Sequence, residues 1–242
     1  MKLERLPSSA DVARAVARLL VATAHRREAV LVLPAGGTPL PLYRELTRGR
    51  ARGELDLSRA HVFQLDELVG VAAVDPRSFQ SFLRHSLLDP LGRRAPRGHL
   101  LDGAAQDPVR EIERHAQELE RLGGADLVLL GIGRNGHVAF NEPGSTRDAP
   151  SRVVDLAPET LEALRGVFPE SELPHRGMTL GLREIAGARR VVVIATGPSK
   201  AAILGSVLGR APTPERPASL LLGHADLRVF ADPEAGRLVT PS

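Results

Sequence analysis

Short, nearly unbroken apolar runs alternate along this chain with longer stretches whose apolar residues recur every three or four positions. Runs of about four to eight apolar residues suit strands buried on both faces, and the wider spacing suits helices that bury one face. The segments "AVLVLP" (29–34), "HVFQLDE" (61–67), "ADLVLLGIG" (125–133), "RRVVVIAT" (189–196) and "LRVFAD" (227–232) predict strands. "SRVVDL" (151–156) and "GMTLGL" (177–182) predict two shorter ones. Helices are predicted over 8–27, where serines offer caps, and over 39–49, 78–88, 107–122 and 199–210. The alternation predicts the α/β class, with three layers (α/β/α) around a mostly parallel, Rossmann-like central sheet. No repeat or linker divides the elements, so residues 1–242 read as a single domain and "APTPERP" (211–217) as a surface loop.

Composition narrows the picture. Of the 242 residues, 43% are hydrophobic but only 3% aromatic, so the chain can bury a full core and that core is aliphatic. There is no cysteine, which excludes disulfides, thiol nucleophiles and thiolate metal sites. Charges at Glu4, Asp11 and several arginines rule out a secretory leader, and no apolar run reaches membrane-spanning length. A cytoplasmic protein with no membrane partner is expected. The net charge is only +3, arginine is scattered and stacking aromatics are few, so no nucleic-acid partner is expected either. What the basic balance does suggest is an anionic small molecule.

Ligands of such sheets lie beyond the carboxyl ends of the strands, so the residues that follow each strand carry the functional reading. "GIGRNG" has the G-x-G-x-x-G spacing of a dinucleotide loop at Gly131, Gly133 and Gly136, and Asp155 follows at the distance of a ribose-binding acid. That fingerprint needs a helix starting at the third glycine. Pro143, Gly144 and Pro150 deny it, since an interior proline costs about 3 kcal/mol. What remains is a polar loop in which His137 and Glu142 can form a proton-transfer pair. After the 29–34 strand, Gly36 and Gly37 leave backbone N–H groups open, Thr38 suits a helix cap and Pro39 the first helical position. This is either a tight turn or a phosphate cradle. Asp66 and Glu67 close the 61–67 strand, where a buried acid is costly unless it caps a helix or does chemistry. Lys200 opens the 199–210 helix against its dipole, a conflict that a bound phosphate would resolve. Together these groups can open a sugar-phosphate ring and move a proton between adjacent carbons.

"LPAGGTPLPLY", "LDELVG" followed by "SFQSFL", "LLGIGRNGHVAFNEPGS" and "TGPSKA" resemble, in order and spacing, the glucosamine-6-phosphate deaminases, over about residues 29–232. The related 6-phosphogluconolactonases share the fold and the Gly-His, but lack the Asn-Glu-Pro of "NGHVAFNEPG". The resemblance implies conversion of glucosamine 6-phosphate to fructose 6-phosphate and ammonia in amino-sugar metabolism, without a metal or organic cofactor. It carries the class names isomerase, deaminase and hydrolase. Asp66 would move a proton from C2 to C1, His137 would open the ring, and Glu142 would polarise it. Asn135 stands where some members have an Asp that orients the histidine. Gly36, Gly37, Thr38 and Lys200 would bind the phosphate of this phosphorylated amino-sugar substrate. The family's phosphate arginine falls on Gly166, with Arg165 one position earlier and about 100° around the helix. Arg165 is therefore the substitute candidate. Of the basic residues used for allosteric control only Arg152 is retained, so a monomer or small homo-oligomer without that control is expected. Two related activities compete, a 6-phosphogluconolactonase in which His137 activates water and a galactosamine-6-phosphate isomerase. A sugar-phosphate sensor is a third rival, but one helix before the first strand leaves no room for a DNA reader.

Overall fold

The structure is a computed structural model, and it describes residues 1–25, 28–53, 55–168 and 172–239. β1 (Lys2–Arg5) precedes α1 (Ser9–Ala24), β2 (Val30–Leu33), α2 (Leu40–Ala51), β3 (His61–Gln64) and β4 (Asp66–Leu68). α3 (Phe79–Leu83) widens into a π-helical turn at Arg84–Leu88 and continues as α4 (Asp89–Leu91). Then come β5 (Arg97–His99), α5 (Pro108–Arg121), β6 (Leu127–Leu130), β7 (Arg152–Asp155), α6 (Pro158–Val167), β8 (Arg176–Thr179) and α7 (Leu182–Ala186). β9 (Val191–Ala195), α8 (Ala201–Gly209), β10 (Leu227–Ala231) and α9 (Pro233–Gly236) complete the order. Side-chain caps start the longest helices: Ser8 accepts from the Asp11 N–H at 3.1 Å, and Asp107 accepts from Val109 and Arg110. Arg26 and Arg27, the end of the first expected helix, lie outside the described residues.

Among the described residues, seven strands form one parallel sheet in the order β1-β10-β9-β6-β2-β3-β5. Alternate residues of each central strand enter different cores. Val30, Val32, Val128, Leu130, Val191 and Val193 pack with Leu182, Ile185, Ile203 and Leu204 of α7 and α8. Leu31, Leu33, Leu127, Leu129, Val192 and Ile194 pack with Val12, Val16, Leu20, Leu42 and Leu46 of α1 and α2. Helices therefore cover both faces, which is why these strands read as unbroken apolar runs. Each fully buried Val or Leu contributes about 1.5–3 kcal/mol, and the three-layer architecture follows.

Some features depart from the pattern reading, and the expected 177–182 strand, for one, ends at Thr179 and gives way to α7 at Leu182. The edge strands β1 and β5 were not expected, because "KLER" and "RGH" are polar and partly exposed. An edge strand pairs on one side only and leaves no apolar run in the sequence. The 61–67 segment, expected as one strand, divides at Leu65. β3 stays in the parallel sheet, whereas β4 joins β8 and β7 in a separate antiparallel sheet of three strands. Asp155 ends β7 exposed in that second sheet, far in topology from any dinucleotide unit.

The strand order also locates a crevice. From β2 the parallel sheet grows through β3 to β5, and from β6 it grows the other way through β9 and β10 to β1. The loops leaving β2 and β6 diverge at this switch point and open a cleft at the strands' carboxyl ends. Among the described residues, no helix is long and apolar enough to cross a membrane.

Candidate active site

A cavity of about 680 Å³ lies there, lined by residues that follow β2, β3, β6 and β9, four strands consecutive in the sheet. Gly36, Thr38, Asp66, Asn135, His137 and Lys200 all reach it, and Glu142 stands directly behind His137. The four strand ends singled out in the sequence thus meet at one cleft.

The β2 loop is anchored by Tyr43, wholly buried, whose hydroxyl donates to the Pro34 carbonyl at 2.6 Å. Gly36 has a φ of +111°, a conformation that glycine adopts without strain. The N–H groups of Gly36, Gly37 and Thr38 take no backbone acceptor among the described residues. The expected cap does not form. Pro39 occupies the cap position, α2 starts at Leu40, and no side chain caps it. Thr38 stands one residue too early to reach the free helical N–H groups, and it lines the cavity instead.

Asp66 and Glu67 point different ways from β4. Glu67 is fully buried and accepts five hydrogen bonds, from the N–H groups of Leu68, Phe79 and Gln80, the Ser78 hydroxyl and the Gln64 amide. The helix-cap role expected for this acidic pair therefore belongs to Glu67, which receives the start of α3. Asp66 is 7% exposed, its side chain makes none of these bonds, and it faces the cavity. Burial, helped by the charge of Glu67, raises its pKa to about 8.

The β6 loop assembles the histidine. Gly136 turns the chain with a φ of +90°, and its N–H bonds to the Gly133 carbonyl. His137 lies flat on Gly133, where an added Cβ would meet the imidazole at 2.4 Å. A glycine is therefore required at 133 for close approach, a different reason from phosphate binding. His137 Nδ1 is 3.1 Å from Glu142 Oε2 and 3.0 Å from the Thr160 hydroxyl. Asn135 locks both partners, since its Oδ1 accepts from the His137 N–H and its Nδ2 donates to Glu142. Burial opposes ionisation of Glu142, but His137, Thr160 and Asn135 outweigh it and hold the pKa below the usual carboxylate value. An ionised Glu142 keeps the proton on Nδ1, so Nε2 is the basic nitrogen.

Lys200 follows the β9 turn, in which the Gly197 N–H bonds to both oxygens of Asp232. Lys200 is the cap residue of α8, and its Nζ donates to the Ile132 carbonyl at 2.8 Å. That carbonyl, not a phosphate alone, answers the conflict with the helix dipole. Burial and the charge of Arg134 hold its pKa below the usual lysine value. Arg165 is exposed on α6 and does not line the cavity, although Ala163, Leu164 and Gly166 do. Arg134, Thr160 and Glu162 line it without having been singled out from the sequence. Arg134 sits inside the glycine-rich motif and could have been weighed there; Thr160 and Glu162 carry no local signal.

A family profile described as glucosamine-6-phosphate isomerases/6-phosphogluconolactonase matches residues 7–229. The chain belongs to this family. It is 39% identical over 213 residues to glucosamine-6-phosphate deaminase 1 of Giardia intestinalis, covering 87% of this chain and 80% of that protein. It is 38% identical over 242 residues to the glucosamine-6-phosphate deaminase of Rhodopirellula baltica, covering 99% and 96%. Among solved structures, a monomeric glucosamine-6-phosphate deaminase superposes with a TM-score of 0.94 at 32% identity, covering 98% of this chain and all of the other. The 6-phosphogluconolactonase of Trypanosoma cruzi has a TM-score of 0.80 at 21% identity and shares the fold alone. One expectation is corrected by these likenesses. The class name hydrolase does not hold, because the relatives at 38–39% identity are named deaminases, whereas the lactonase is a distant likeness.

Proposed function

We infer that this chain is a glucosamine-6-phosphate deaminase, a deaminating aldose–ketose isomerase. The observation that carries the reading is the pairing, at one cleft, of an unbonded buried carboxyl with a histidine held by a carboxylate. His137 Nε2 takes the proton of the C1 hydroxyl and returns one to the ring oxygen, which opens the ring. Glu142 and Asn135 orient the imidazole and offset its positive charge. Asp66 removes the C2 proton from the open-chain aldehyde and delivers it to C1, while O1 takes a proton from the substrate's own nitrogen, which leaves an imine. The resulting imine at C2 is attacked by water and releases ammonia, leaving fructose 6-phosphate. Gly36, Gly37 and Thr38 offer backbone donors to the phosphate, and Lys200 offers charge. The reaction needs only these side chains.

Arg152, the one basic residue retained there, is spent inside the fold, donating to Asn141 and Ser145, which supports the expected absence of allosteric control. The monomeric relative supports a monomer or small homo-oligomer, and a soluble metabolic enzyme of this kind belongs in the cytoplasm. The test is a coupled assay of the purified protein with glucosamine 6-phosphate, following fructose 6-phosphate and ammonia together. Equimolar release of both is expected. Hydrolysis of 6-phosphogluconolactone in its place would replace this reading with the lactonase.

A further inference from the structure

Among the described residues, two cationic side chains line the cavity, Lys200 and Arg134. They stand on the loops after β9 and β6, neighbouring strands of the sheet. One hydrogen bond ties those loops together, from Lys200 Nζ to the carbonyl of Ile132, two residues before Arg134. The charge of Arg134 acts against that of Lys200, so the two groups are close enough to repel. A doubly charged anion held by both removes that repulsion. Arg134 is also exposed and loosely paired. Its guanidinium meets Glu162 Oε2 at 3.9 Å, with the two side chains 54% and 72% exposed. An ion pair that loose and that wet contributes little, and a phosphate dianion displaces it readily. Arg165, by contrast, is exposed on α6 outside the lining.

We propose that Arg134 is the second phosphate-binding cation of this site, forking onto the sugar's phosphate together with Lys200 in place of the arginine that α6 does not present to the cavity. The planar guanidinium offers paired N–H donors that match phosphate oxygens, which Lys200 alone cannot do. Glu162 is the group that the phosphate displaces. The identity of the sugar rests on the deaminase reading; the phosphate site does not.

The test uses the full chain and its Arg134→Ala, Arg134→Lys and Glu162→Gln variants. It reads KM and kcat with glucosamine 6-phosphate, inhibition by inorganic phosphate, and the rise in Tm that inorganic phosphate produces. Loss of a charged hydrogen-bonding partner predicts that Arg134→Ala raises KM and the phosphate inhibition constant by about tenfold or more, with kcat changed far less. Arg134→Lys recovers part of the loss, and Glu162→Gln moves both constants the opposite way by about two- to threefold. Unchanged constants in Arg134→Ala, or a matching loss in Arg165→Ala alone, overturn the proposal. If the native protein does not turn over the amino sugar, the deaminase reading fails by itself. The phosphate-induced rise in Tm, kept in the native chain and lost in Arg134→Ala, then still decides the proposal.

Discussion

The two faces of β4 carry adjacent buried acids in opposite surroundings. On one face Glu67 is enclosed by five donors that join Gln64, β4 and the start of α3. On the other face Asp66 opens to the cavity, and among the described residues no donor reaches its carboxyl. Burial pushes both pKa values up, but for Glu67 the N–H groups of Phe79, Gln80 and Leu68 pull against it. The comparison teaches how one strand separates structure from chemistry. A pleat sends successive side chains to opposite sides, so neighbours in sequence can serve as a structural clamp and a proton carrier. The clamp also helps the carrier, since the charge of Glu67 adds to the rise at Asp66.

The largest effect should come from removing the carrier. Asp66→Asn is expected to lower kcat by about 10²–10⁴-fold, as loss of a general base does. The same variant should be the more stable protein in alkali. The pKa of Asp66 rises from 3.8 to about 8 on folding, so the unfolded chain ionises first. That contribution to stability is complete below pH 4 and is lost as pH rises through 8. Thermal unfolding of both proteins across that range should show curves that coincide below pH 4 and separate progressively in favour of the variant as pH rises to 8. A larger gap in acid than in alkali would refute the burial argument.

Removing the clamp should act on folding. Glu67→Ala leaves three backbone N–H groups, a hydroxyl and an amide without their acceptor. A loss of about 3 kcal/mol or more is expected, read from urea unfolding. A change below about 1 kcal/mol would mean that water replaces the carboxylate without cost.

Behind the clamp, His115 donates from Nε2 to the Gln64 carbonyl at 2.8 Å and is fully buried. Burial takes its pKa from 6.5 to about 4. Here the folded value is depressed, so the unfolded chain protonates first. Stability should be present above pH 6.5 and fall as pH drops toward 4. His115→Leu should flatten that slope while lowering stability at pH 7. An unchanged slope would place the acid sensitivity elsewhere.

The smallest and sharpest test joins the two faces. The acidic limb of kcat/KM should lie near pH 8, the value of the free Asp66 carboxyl. Glu67→Gln should move that limb toward acid by less than about one unit, because burial is the larger cause and remains. No movement would mean that the two carboxyls do not sense each other.

Much of this was legible along the chain. β2, β6 and β9 are strands because helices on both faces bury every one of their residues, and that burial is written as unbroken apolar sequence, while β10 departs from it only at the half-buried Arg228. Ser8 and Asp107 mark helix starts through bonds that span two or three residues, and Pro143 and Pro150 exclude a dinucleotide helix on local grounds. The loop bearing Asn135, His137 and Glu142 is equally local, and its three side chains meet within eight residues. Tertiary structure decided the rest. The order that puts β9, β6, β2 and β3 side by side is a set of long-range pairings with no trace in any short window. The break at Leu65 exists because β8 pairs with Asp66–Leu68, more than 100 residues away in sequence. That pairing alone assigns Asp66 to the cavity and Glu67 to the clamp. Whether Arg134 or Arg165 faces the site likewise depends on how α6 packs over the cleft, because a side chain's direction at a site is fixed by its neighbours in space and not by its place in a motif.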